Sequence, residues 1–276
     1  MRVIVTRLLP QAVRWVQLLQ PHGHDGLALP LIEVAALTDA SAVLAVRQQL
    51  ARYAAVMFVS SPAVDGFFNA GSGLASDVAQ KLALPARAWC TGPGTRAALV
   101  RHGMAPDAVD APDPGAEQLD SEALWQRVCD QIKPGVRILI VRGDTLGAES
   151  ATADAPSSPP SNRVGVGRDW LAQRLQQAGA QVDFVVAYRR CLPRWSEVQR
   201  TQALAAAGDG SVWLFSSAEA VGNLKALLPT QDWSHARAIA THGRIATAAQ
   251  RLGFPVVLTS RPSLPAVLAS LESIHD

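Results

Sequence analysis

Cysteine is almost missing from this chain, three in 276 residues. Cys90, Cys129 and Cys191 lie far apart, with no CxxC and no His-containing ligand spacing, so neither a disulfide framework nor a zinc site is indicated. Each reads as a small buried hydrophobe. No apolar run approaches the ~18 residues that a membrane helix needs. The N-terminal MRVIVTRLLP enters a strand directly, without a signal-peptide core. A reducing cytoplasm fits these absences. Lysine is scarce as well, so the positive side of a net charge of +2 is nearly all arginine. With no basic run, a nucleic-acid surface is not expected. Arginine forks suit carboxylate or phosphate instead. Several catalytic signatures are also missing. There is no GxSxG and no DxD. The segment Gly92-Pro93-Gly94-Thr95-Arg96-Ala97 is not the GxGxxG dinucleotide fingerprint, because Ala97 stands where the third glycine belongs.

What is present is apolar residues, 49% of the chain, in a length that suits two domains of roughly 100–150 residues. Short β-rich runs such as RVIVT, AVMFV, RILIV and SVWLF alternate with helical patterns such as QAVRWVQLLQ. That order predicts α/β domains with doubly wound parallel sheets. Helices are expected over 40–52, 74–84 and much of 115–131. Two stretches look longer. Gly26–Leu37 reads as one extended segment. Val182–Leu192 follows a helix, Asp169–Ala178, and a glycine stop at Gly179. Paired, the two stretches make a two-stranded ladder between two domains, 1–34 plus 190–276 and 38–186. A cleft between such domains is where ligands bind. The Ala-, Ser- and Pro-rich segment at about 145–166 has no periodicity and predicts a disordered surface insertion.

An internal repeat runs through the turns. FVSSPAVDGF echoes LFSSAEAVGNL, and CTGPGTRAALVRHG echoes ATHGRIATAAQRLG. Ser60-Ser61 and Ser216-Ser217 therefore match, as do Gly94-Thr95 and the Thr241–Arg244 turn. Taken singly, Ser and Thr in such turns read as N-caps. Four turns in matched pairs at the carboxyl ends of strands also read as an anion site built from helix-terminal N–H groups. His242 fits a base, an anion contact or a cap. Tyr188 fits a core residue or a phenol presented to a leaving group.

These pieces occur in a recognisable order. They are VTR at Val5–Arg7, FVSSPAVDGF at Phe58–Phe67, TGPGTRAAL at Thr91–Leu99, ILIVRG at Ile138–Gly143 and GRDWLAQRLQQAGAQV at Gly167–Val182. Tyr188-Arg189-Arg190, LFSSAEAV at Leu214–Val221 and RPSLPAVLASL at Arg261–Leu271 follow. In that order the chain resembles the uroporphyrinogen-III synthase family over nearly its whole length. Each motif is weakly specific; order and spacing make the case. Two departures stand out. The family's Gly-x-Thr-Thr-Ala type of turn is replaced by Ala240-Thr241-His242-Gly243-Arg244, with Thr241 as the nearest match to its threonine and Thr247 second. The 145–166 segment also exceeds the family's short loop.

The resemblance implies two flavodoxin-like domains joined by a two-stranded ladder, with the active site in the interdomain cleft. It implies a hydro-lyase that closes hydroxymethylbilane to uroporphyrinogen III, losing water and inverting ring D, with no metal and no organic cofactor. The substrate's eight carboxylates would be taken at the turns of Ser60, Ser61, Gly94, Thr95, Ser216, Ser217, Thr241 and His242. Arg7, Arg142 and Arg244 would supply bidentate contacts. Tyr188 resembles the tyrosine thought to help the hydroxyl leave. A monomer in transient contact with the preceding pathway enzyme, binding neither nucleic acid nor membrane, completes the expectation. The alternative is a non-catalytic two-domain binder of a small polyanionic ligand.

Overall fold

The structure, a computed structural model, describes residues 1–71, 86–113, 120–145 and 166–274. In chain order the elements are β1 (Arg2–Val5), α1 (Leu9–Leu19), β2 (Asp25–Ala28), β3 (Glu33–Ala35), α2 (Ser41–Arg47), β4 (Ala55–Phe58), α3 (Ser61–Phe68), β5 (Arg87–Cys90), α4 (Pro93–Arg101), β6 (Val109–Asp110), α5 (Ser121–Val128) and β7 (Arg137–Thr145). They continue as α6 (Val166–Gln177), β8 (Gln181–Cys191), α7 (Glu197–Ala205), β9 (Val212–Phe215), α8 (Ala218–Leu227), β10 (Arg237–Ala240), α9 (Gly243–Leu252), β11 (Val256–Thr259) and α10 (Leu264–Ser273). The chain divides into two units, Met1–Val34 with Cys191–Asp276, and Ala35–Arg190.

The first unit carries a five-stranded sheet in the order β11-β10-β9-β1-β2, with every neighbouring pair parallel. Its central strands are fully buried runs, and alternate residues feed two cores. Ile4, Trp213 and Phe215 pack under α7, α8 and α9 with Trp233 and Phe254, while Val3, Val5, Leu214 and Ile239 pack under α1 and α10. Tryptophan is used here as mass. Trp213 meets Trp233 edge-on at 5.4 Å, and Trp233 stacks on Phe254 at 5.1 Å, geometries that suit the aromatic quadrupole.

The second unit carries a six-stranded sheet in the order β3-β8-β7-β4-β5-β6. Val56, Phe58, Leu139 and Val141 face α2, α3 and α4, and Ala55, Met57, Ile138 and Ile140 face α5 and α6. The two sheets share one plan. Val3 pairs with Val212 as Ile138 pairs with Ala55, so β1 stands beside β9 as β7 stands beside β4.

Four expectations change. Gly26–Leu37 is two strands, not one: β2 pairs with β1, and β3 lies beside β8. Pro30 sits at the break, where its missing N–H cannot continue a ladder. The helix over 40–52 stops at Arg47 and resumes as a 3-10 turn, Leu50–Arg52. The described part of the stretch expected to be mostly helix over 115–131 divides into α5, from Ser121 behind its Asp120 cap, and a 3-10 turn, Cys129–Gln131, while 115–119 lie outside the described residues. Of the cysteines only Cys90 is buried, and burial pushes its thiol up to about 11; Cys129 and Cys191 are partly exposed. The helix expected at 74–84 and the insertion at 145–166 lie outside the described residues, apart from Thr145 and Val166 at the insertion's ends. No helix among the described residues is long and apolar enough to cross a membrane.

One irregularity positions the residue of greatest chemical interest. On β7 and β8, Arg142 pairs with Val186 but Gly143 pairs with Tyr188, leaving Ala187 as the extra residue of a β-bulge. Strict alternation would place Tyr188 on the face opposite Val185 and Ala187. The bulge instead turns it onto the same core, beneath α3 and α4.

Candidate active site

In the second unit, β4 and β5 are parallel neighbours, so the helices that follow them start side by side. Ser60 caps α3 in extended backbone, and its Oγ accepts from the Ala63 N–H at 3.3 Å. Pro62 occupies the first turn of that helix and Pro93 opens the next, where a missing N–H is harmless. Gly92 caps α4 with no side-chain hydrogen bond. A β-carbon on Gly94 would stand 3.4 Å from Ser61 Oγ, which puts the two helix starts in contact. The N–H of Thr95 is already bonded to the Gly92 carbonyl at 3.1 Å. Thr95 is also buried, so the expectation that its N–H takes a carboxylate is corrected; it packs within the turn.

Tyr188 joins this cluster. Its phenol oxygen lies 3.0 Å from Ser60 Oγ. The residue is 4% exposed, so Tyr188 is a core residue whose phenol is held by a hydrogen bond. Two glycines make the placement fit. A β-carbon on Gly143 would come within 2.3 Å of the Tyr188 ring, and one on Gly66 of α3 would come within 2.2 Å of the Ala187 carbonyl oxygen. Sequence reasoning passed over both. Gly66 had left a signal as a lone glycine inside a helix, which often marks close packing. Arg142 lies within the neighbouring strand β7, just before the bulge, and stands apart from this cluster. Its guanidinium lies 4.6 Å over the Phe184 ring, on the face that α5 and α6 cover.

The first unit repeats the arrangement without a tyrosine. Arg7, Ser216-Ser217 and the Thr241–Arg244 turn follow β1, β9 and β10, three adjacent parallel strands. Ser217 caps α8 with no side-chain hydrogen bond. That leaves the first-turn N–H groups without a hydroxyl cap. His242 is a cap: its Nδ1 accepts from the Arg244 N–H at 3.1 Å. Nδ1 therefore carries no proton in this arrangement, and Nε2 carries it as a donor. The N–H of Thr241 bonds the Phe215 carbonyl at 3.0 Å, so that turn offers fewer free N–H groups than its sequence suggested. Thr247 bonds the Gly243 carbonyl inside α9 at 3.1 Å, which leaves Thr241 as the threonine placed at the strand end.

Arg7 and Arg142 hold equivalent places on their sheets, each one strand over from the Ser-Ser turn. Arg7 lies 4.7 Å over the Trp15 ring. Its Nε and Nη2 are buried with no hydrogen-bond partner among the described residues, and burial pulls its pKa below the ordinary value. An unpaired buried cation is costly and calls for an anion. Among the described residues there is no group of three or more His, Cys, Asp or Glu that could hold a metal.

The chain is similar to known proteins over nearly its whole length. Residues 13–149 and 162–269 match the family model described as uroporphyrinogen-III synthase HemD. A uroporphyrinogen-III synthetase from Helicobacter pylori is similar in fold at 17% identity, with a TM-score of 0.55 over 99% of this chain and 100% of that one. A mutant uroporphyrinogen III synthase from the extremely thermophilic bacterium Thermus thermophilus is similar at 17% identity, with a TM-score of 0.51 over 100% of this chain and 98% of that one.

Proposed function

The chain belongs to the uroporphyrinogen-III synthase family and has its activity, and from that premise we propose that its substrate is hydroxymethylbilane and its reaction a hydro-lyase ring closure. The observation that carries the reading at residue level is the phenol of Tyr188 held 3.0 Å from Ser60 at the start of α3.

The substrate carries carboxylates along its length, while the protein's net charge is only +2. Binding then rests on placed donors rather than on bulk charge. The Gly94 N–H of α4, the open first turn of α8, the Nε2 of His242 and the two stacked arginines, Arg7 and Arg142, are such donors. Arg244, exposed at the start of α9, adds a cation beside His242.

Tyr188 acts as the general acid. Its O–H bond breaks as the hydroxymethyl C–O bond breaks, and the oxygen leaves as water. The pyrrole nitrogen supplies the electrons that expel it, giving an azafulvene cation. The substituted carbon of ring D attacks that cation, and the spiro intermediate fragments and recloses with ring D reversed. Unaided closure gives the unreversed isomer, so the enzyme's work is to hold the conformation that favours attack by the substituted carbon. A non-catalytic binder would need the same anion-binding turns but has no use for a phenol fixed by two glycines. Hydroxymethylbilane consumption with and without the chain tests the reading: a binder protects the substrate, a synthase accelerates its loss.

A further inference from the structure

We propose that Ser60 is a positioning residue for Tyr188: it donates its O–H to the phenol oxygen, turns the phenol's own proton toward the departing hydroxyl, and holds the phenolate that forms. This rests on the reading of Tyr188 as the acid, and it moves Ser60 from contacting substrate to acting through the tyrosine.

A serine hydroxyl has one hydrogen and two acceptor positions. One acceptor position of Ser60 is taken by the Ala63 N–H, the cap of α3. The Tyr188 oxygen stands 3.0 Å from the same Oγ, so the serine hydrogen has a partner there. With Ser60 donating, the phenol keeps its own O–H free to give away. With Tyr188 donating, the proton needed for catalysis would already be engaged. The cap favours the first arrangement, because an N–H donor on Oγ polarises the hydroxyl and strengthens it as a donor in turn.

Proton transfer then leaves a negative oxygen facing a hydroxyl donor that sits at the positive end of α3. Nothing has to reorganise, since the donor is in place before the charge appears. The phenolate recovers a proton from the ring carbon that loses one on closure, so one water is lost and the phenol is regenerated. Geometry holds the pair together from both sides. The Tyr188 ring lies on Gly143 with no space for a β-carbon, and Gly66 lets α3, which carries Ser60, close onto the bulge that carries Tyr188.

The test uses three Ser60 variants and a double-mutant cycle. Ser60→Asp keeps a good N-cap but loses the hydroxyl donor. It should melt like the wild type, with kcat lowered on the order of 10- to 100-fold, the worth of a hydrogen bond to a charged group, and KM unchanged. Ser60→Thr, which keeps both functions, should restore most of the turnover. Ser60→Ala should lower kcat in the wild-type background and have no further effect on kcat in the Tyr188→Phe background. A rise in KM with kcat kept, or full additivity of Ser60→Ala and Tyr188→Phe, would overturn the proposal and return Ser60 to a substrate contact or a plain cap. If Tyr188→Phe alone turns over at the wild-type rate, the acid itself is misassigned, and the role of Ser60 falls with it.

Discussion

Gly143 lies directly against the ring of Tyr188: a β-carbon added to Gly143 would stand 2.3 Å from Cζ and 2.6 Å from Cε2. No carbon tolerates that distance, so the side chain at position 143 and the place of the phenol cannot both be kept. Gly143→Ala is expected to push the ring out of its pocket. It should cost about 1–3 kcal/mol of stability, the usual range for overpacking. Turnover should fall at least as far as in Tyr188→Phe, because a displaced phenol is no better than an absent one. Thermal melting and turnover on the same preparation check this. Full activity with an unshifted melt would show that the ring has somewhere else to go.

Tyr188→Phe separates chemistry from packing. The ring stays, and only the hydrogen bond to Ser60 is lost, so stability should change by roughly 1 kcal/mol or less. If the phenol is the acid, kcat should fall by about 10²-fold, the low end for general acid catalysis. Expulsion of the hydroxyl by the pyrrole nitrogen accounts for the remaining rate. An unchanged kcat would leave Tyr188 as a packing residue.

Arg7 is expected to trade stability for binding. Burial lowers its pKa, so the charged form is better accommodated in the unfolded chain than in the fold. A guanidinium stays protonated throughout the range in which proteins fold. The cost of carrying the charge is therefore present throughout pH 5 to 9, roughly, with no slope in that window. Arg7→Met should melt at the same temperature as the wild type or higher, since a buried cation without a partner is replaced by an apolar side chain of similar length. The KM for hydroxymethylbilane should rise on the order of 10-fold or more. A lower melting temperature with an unchanged KM would make Arg7 a structural residue.

Asp110 sets an acid limit for the second unit. Burial alone would push its carboxyl up. Hydrogen bonds from Arg87 and Gln131, with the charges of Arg87 and Arg127, outweigh burial and hold it below its ordinary value. A carboxyl lowered by folding stabilises fully above its unfolded pKa and loses that contribution as pH falls through the folded one. Arg87 is 44% exposed, so solvent screening keeps the pair's worth near about 1 kcal/mol. Asp110→Asn should be less stable than the wild type at neutral pH, and the two should converge as pH falls through the carboxylate range. Urea unfolding across pH reads this directly; a constant gap would contradict it.

Much of this was legible in the sequence, for identifiable reasons. Strands such as RILIV are buried on both faces and read as continuous apolar runs, and the Ser-Ser and Gly-Pro-Gly turns carry their positions by matched spacing. Arg7 and Arg142 could have been paired at that stage, since each stands five residues after another arginine, Arg2 and Arg137, at the start of the same strand of the plan. The burial of Tyr188 could not. Alternation along β8 places it with Val186, and only the extra residue at Ala187 turns it to the other face. A bulge is a property of two paired strands, and neither strand's sequence states it alone. The break at Pro30 was visible but was outweighed by the apolar length of Gly26–Leu37. The free N–H groups of the turns were also not legible, because a cap such as His242 Nδ1 on the Arg244 N–H depends on a rotamer.

Closure of hydroxymethylbilane with reversal of ring D leaves its signature in the isomer formed. The most direct measurement is to incubate the protein with hydroxymethylbilane, oxidise the product and separate the type I and type III isomers. Mostly type III is expected, formed faster than the unaided closure and in proportion to protein added. Type I product alone, formed at the rate of protein-free buffer, would contradict it.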